Sequence, residues 1–140
     1  MSETNIEQIL SDDGVYISTT SGVSMYPLLR DRRDTVIVTP CSERLKKYDV
    51  ALYRRGSKYV LHRVIEVLPD SYVIRGDNCI AREYVPDTDI LGKLTEIYRA
   101  EKHVNMKGFK YNLYSRAIVF FHPLVTLKFK LGSIKNRRRR

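Results

Sequence analysis

The chain has 140 residues, 43% of them apolar and 29% charged, with 7 Gly and 5 Pro, which suits one packed core and excludes two full domains as well as a disordered or fibrous polymer. Two cysteines, Cys41 and Cys79, cannot build a disulfide framework, no CxxC or HxxxH spacing marks a zinc site, and nothing implies a cofactor. The net charge of +9 is uneven: residues 1–98 carry 13 basic and 15 acidic side chains, residues 99–140 carry 12 and 1.

The opening residues are acidic and contain no apolar stretch of the kind that heads a secretory signal, so a cytoplasmic product is expected. Ile6, Ile9 and Leu10 recur at helical spacing between Ser2 and Leu10, with Gly14 as a stop, and predict one short helix. From Val15 the pattern changes to β-branched and aromatic runs at 15–18, 35–38, 49–54, 58–67, 71–77 and 90–98. These predict strands and a mainly β fold. Leu68, Pro69 and Asp70 supply turn chemistry, so 58–77 should be an antiparallel hairpin. Within it, Tyr59, Leu61, Arg63 and Ile65 share one face and Val60, His62, Val64 and Glu66 the other.

Residues 112–131 return to a helical period, with Leu113, Ala117, Phe120, Leu124, Leu127 and Leu131 in one stripe and Pro123 positioned to kink the helix or begin a second. The stretch Ala117–Leu127 is uncharged but shorter than the roughly 20 residues of a spanning helix. Two readings stay open for this amphipathic extension. Its stripe packs on the sheet beside a solvated tail, or it enters a lipid surface while Lys128, Lys130, Lys135 and Arg137, Arg138, Arg139 and Arg140 meet anionic headgroups. A basic tail beside apolar side chains favours a peripheral membrane partner over nucleic acid. Three regions result: a helical segment at 1–14, a β core at 15–98 and a basic extension at 99–140.

The segment with chemical content is Ser21–Val38. Ser24 follows Gly22 and Val23 and precedes Met25 and Pro27, which places a small hydroxyl at a sharp turn. Serine also caps helices and turns, so Ser24 alone decides little. A serine nucleophile needs a base, and His62 stands in a strand where an apolar residue is the local preference.

In one order along the chain stand Ser-Gly-Val-Ser-Met-Tyr-Pro (21–27), Asp-Thr-Val (34–36), Asp-Val-Ala-Leu-Tyr (49–53), His-Arg-Val (62–64) and Gly-Asp-Asn (76–78). This resembles the signal peptidase I family and its soluble S24/S26 serine peptidase relatives, from about Ser21 to Leu94. The resemblance implies an antiparallel β peptidase core, Ser24 as nucleophile, and His62 as general base, the histidine of the archaeal and endoplasmic-reticulum type rather than the bacterial lysine. It implies an acyl-enzyme mechanism on a peptide or protein substrate, in signal, leader or specific protein processing. Ser21, Gly22, Met25 and Pro27 would line the substrate site, and the Ser24 backbone N–H would serve the oxyanion hole with a donor from the preceding loop.

The chain departs from the pattern in three respects. The bacterial Ser-Gly-Ser is one residue longer here, Arg33 replaces a glycine before the structural Asp34, and Glu83 stands where histidine-type relatives carry an aspartate. Asp77 and Glu83 therefore compete to orient His62. The self-cleaving repressors among the relatives carry a helix-turn-helix ahead of the peptidase, which 20 residues before Ser21 cannot build. The competing function is a catalytically inactive β module that binds a membrane surface or nucleic acid through its basic tail.

Overall fold

The computed structural model describes residues 5–138 and is mainly β, with a curled eight-stranded antiparallel sheet, a short leading helix and two closing helices. Helix α1 (Ile6–Asp13) begins where Asn5 accepts from the amides of Glu7 and Gln8, and ends at Gly14 in the left-handed conformation. The strands are β1 (Tyr16–Thr19), β2 (Asp34–Thr39), β3 (Val50–Arg55), β4 (Lys58–Val67), β5 (Ser71–Arg75), β6 (Glu83–Pro86), β7 (Ile90–Arg99) and β8 (Lys102–Val104). Their spatial order is β1-β2-β7-β3-β4-β5-β6, and β8 pairs with β7.

The expected hairpin is β4–β5, closed by the Leu68 amide on the Ser71 carbonyl, with a register irregularity between Val64 and Glu66. Strands β6 and β8 were not anticipated. β6 ends in Pro86 and pairs with β5 alone, an edge position that tolerates a missing donor. β8 is three residues long and follows a turn with Ala100 at φ 53°.

Both faces of the sheet are covered, because β3 alternates between them: Val50 and Leu52 point one way, Ala51 and Tyr53 the other. Val50 joins Met25, Leu28, Leu29, Val36, Leu94 and Ile97 in one cluster, and Leu52 joins Leu10 and Val38 under α1. Ala51 and Tyr53 join Leu45, Val64, Tyr72, Ile74 and Val85 opposite.

The C-terminal extension forms two helices, α2 (Phe109–Phe120) and α3 (His122–Arg138), with Pro123 in the first turn of the second, where its missing N–H costs no hydrogen bond. Tyr111 and Tyr114 of α2 pack on the Val50 cluster and Ser115 is buried. The stripe read from the sequence turns outward instead of packing on the sheet: all its residues except Ala117 are exposed. The sheet is reached by a different face of α2, the one that carries hydroxyls. No helix among the described residues is long and apolar enough to cross a membrane. Arg139 and Arg140, and the side chains of Lys135, Arg137 and Arg138, lie outside the described residues.

Candidate active site

Four segments meet at one cavity of about 590 Å³, lined by Ser21, Gly22, Ser24 and Met25 from the β1–β2 loop, Tyr59–His62 of β4, Arg55 of β3, and Cys79, Ala81 and Glu83. The β1–β2 loop is held by hydrogen bonds of its own. Thr20 exchanges backbone bonds with Arg32 and Asp34, and the Gly22 amide donates to Asp31 Oδ1 at 2.8 Å with Gly22 at φ 86°. The fully buried Asp34 accepts from the Arg30 amide and from Arg33, which makes it a loop anchor rather than a reacting group. Met25 both faces the cavity and lies in the core. Pro27, after a cis Tyr26–Pro27 bond, is exposed and lies off the cavity wall.

The turn after β5 ties down the Ser24 backbone and borders His62, and both residues line the cavity. The Asn78 amide donates to the Ser24 carbonyl at 2.9 Å, and Asn78 Nδ2 to the Val23 carbonyl at 3.1 Å. A Cβ placed on Gly76 would stand 2.7 Å from the Ser24 carbonyl oxygen and 3.0 Å from His62 Nε2. The Ser24 main-chain carbonyl, His62 Nε2 and Cys79 Sγ, itself 2.7 Å away, therefore border a single point that only glycine leaves open.

The other imidazole nitrogen is occupied. Tyr53 Oη lies 3.2 Å from His62 Nδ1 and donates to Glu83 Oε2 at 2.7 Å. Burial pushes the Tyr53 hydroxyl up to about 12, so it keeps its single proton at neutral pH. That proton goes to Glu83, so Nδ1 must be the donor toward Tyr53, and Nε2 carries the lone pair on the Gly76–Ser24 side. Arg55 pairs with Glu83 from outside and holds its carboxylate against Tyr53.

Asp77 is engaged elsewhere. Its two oxygens accept from Arg63 Nε at 2.7 Å and Nη2 at 2.9 Å, and Oδ2 also accepts from Tyr114 at 2.8 Å. Arg63 is fully buried and reaches the Tyr48 carbonyl and Ser115 Oγ as well. This pair fastens the turn carrying Gly76 and Asn78 to β4 and α2. Sequence reasoning missed both Tyr53 and the Arg63–Asp77 clamp. A signal for Tyr53 existed: with Ala51 opposite His62 across the β3–β4 hairpin, Tyr53 is a diagonal neighbour on the same face.

Burial, reinforced by the charge of Arg55 and opposed by Asp77, lowers the His62 pKa from 6.5 to about 4. The folded protein thus refuses a proton that the unfolded chain accepts between these values, so stability rises with pH across that window and falls by about 3 kcal/mol as pH drops from 6.5 to 4. Urea unfolding at several pH values should show this slope, and His62→Gln should flatten it.

Comparison with known protein families and with curated proteins finds no match for this chain. Among the described residues no cluster of His, Cys, Asp and Glu could hold a metal ion.

Proposed function

We propose that the chain is a serine endopeptidase of the signal peptidase I-like, histidine-base kind, with Ser24 as nucleophile and His62 as general base. The observation that carries this reading is the Glu83–Tyr53–His62 hydrogen-bond chain, which places the imidazole proton on Nδ1 and leaves the Nε2 lone pair free beside the Ser24 turn. The order of the Ser-Met, His-Arg-Val and Gly-Asp-Asn segments supports it independently.

In this mechanism Ser24 Oγ attacks the carbonyl of an extended peptide in the cavity while its proton passes to Nε2. The imidazolium so formed is stabilised by the Tyr53 oxygen, with the Glu83 charge behind it. The tetrahedral oxyanion is met by the Ser24 N–H and a neighbouring donor of the loop. His62 then returns the proton to the leaving amine, and an acyl-Ser24 ester remains. Water, deprotonated by the same nitrogen, hydrolyses that ester and restores Ser24. Glu83 and Tyr53 are positioning residues and Asp77 is a scaffold residue in this scheme. We assign the activity to the cytoplasm, where the free thiols of Cys41 and Cys79 remain reduced.

Treatment of the full chain with a fluorophosphonate, followed by intact and peptide mass measurement, tests the assignment. A single adduct on Ser24, absent from Ser24→Ala, is expected. A chain inert to the reagent, or labelled equally in Ser24→Ala, overturns the reading.

A further inference from the structure

We infer that the outer face of α2 and α3 is a docking surface for an anionic lipid bilayer. Phe109, Leu113, Phe120, Leu124, Leu127 and Leu131 are 49–79% exposed, although helices of a small domain ordinarily turn such residues inward. Their spacing within each helix puts Phe109, Leu113 and Phe120 on one side of α2, and Leu124, Leu127 and Leu131 on one side of α3. The side of α2 that faces the protein is already filled by Tyr111, Tyr114 and Ser115.

Charge selects the occupant. Residues 109–138 contain no Asp or Glu, and the exposed Lys110, Lys128 and Lys130 stand beside the apolar side chains. A second copy would bring the same positive charge against itself. Nucleic acid would satisfy the lysines but leave the leucines and phenylalanines in water. A bilayer with anionic headgroups takes both at once, acyl chains meeting the stripe and headgroups the lysines.

The surface adjoins the cavity. The first residue of α3, His122, donates from Nε2 to the Cys79 carbonyl at 2.7 Å, and Lys128 Nζ lies 5.8 Å from the Tyr26 ring centroid, two residues past Ser24. Val23 and Ile80, which flank the Ser24 and Cys79 backbone, are exposed as well. A protein seated by α2 and α3 would hold its cavity at the membrane surface. Docking does not depend on the peptidase reading, since it is measured without turnover.

Co-sedimentation of the full chain with vesicles tests the inference, using phosphatidylcholine alone and phosphatidylcholine mixed with phosphatidylglycerol. Binding to the mixed vesicles at low salt, weakened by added salt, is expected. The pair Lys128→Gln and Lys130→Gln should weaken partitioning about 30-fold. Phe120→Ser with Leu124→Ser should weaken it on the order of 100-fold. Because these four side chains are exposed, the variants should keep the wild-type circular dichroism. Absence of sedimentation with mixed vesicles overturns the inference. So does undiminished binding by the apolar variant, self-association without lipid binding, or retention by a DNA duplex but not by vesicles.

Discussion

His62→Ala is expected to slow fluorophosphonate labelling of Ser24 by about 10²- to 10⁴-fold, the usual contribution of a positioned general base. Cys79, whose Sγ stands 2.7 Å from a Cβ placed on Gly76, does not substitute for it, because burial raises its thiol pKa and keeps it protonated. The rate should depend on pH through the same imidazole. With a His62 pKa of about 4, the base is already neutral well below neutral pH, so the acid limb of the labelling rate should fall near 4 rather than near 6.5. Tyr53→Phe removes the acceptor for Nδ1–H and should cost about ten-fold, the worth of one hydrogen bond. It should also shift the acid limb, which loss of packing alone would not do. If His62→Ala labels at the wild-type rate, the imidazole is not the base.

Asp77→Asn is expected to destabilise the fold by about 3–5 kcal/mol, because it leaves the fully buried Arg63 guanidinium without a counter-charge. That is a large fraction of the roughly 5–15 kcal/mol that holds a domain together. Arg63→Met should cost a similar amount for the converse reason, a buried carboxylate stripped of its bidentate donor. The double variant should lose clearly less than the two single losses together, since neither lone charge then remains. Urea unfolding of the four proteins measures all of this. The clamp also matters to the site. The Asn78 amide that holds the Ser24 carbonyl is one residue from Asp77, so a loosened turn should slow Ser24 labelling even at temperatures where the variant is folded. Equal stability of Asp77→Asn and the parent chain would show that the pair is not what fastens this turn.

Much of the architecture was legible from short-range pattern. The alternation in KYVLHRVIEV marked β4 and put His62 and Arg63 on opposite faces, as they are found, one in the site and one in the clamp. Asn5 and Gly14 bound α1 through capping contacts within a few residues, and Pro123 began a second helix because its ring cannot continue the first. A histidine amid valines and leucines was itself a local inconsistency that pointed to the cavity. The concentration of positive charge after residue 98 is likewise plain from order alone.

What those patterns left undecided depends on which distant segments meet. The resemblance left Asp77, in Gly-Asp-Asn, and Glu83, where histidine-type relatives carry an aspartate, as competing partners for His62. Register separates them: Tyr53 beside His62 and β6 beside β5 bring Glu83 to the imidazole through a phenol, whereas Arg63, buried on the opposite face, takes Asp77. The helical stripe posed the same problem, since periodicity says that one face is apolar without saying whether the protein covers it. Only the packed structure shows that Tyr111, Tyr114 and Ser115 fill the inner contact and leave the stripe in solvent. Local propensity acts over a few residues and sets the elements. Ion pairs, hydrogen-bond relays and burial are interactions between elements, and they exist only once the sheet has closed.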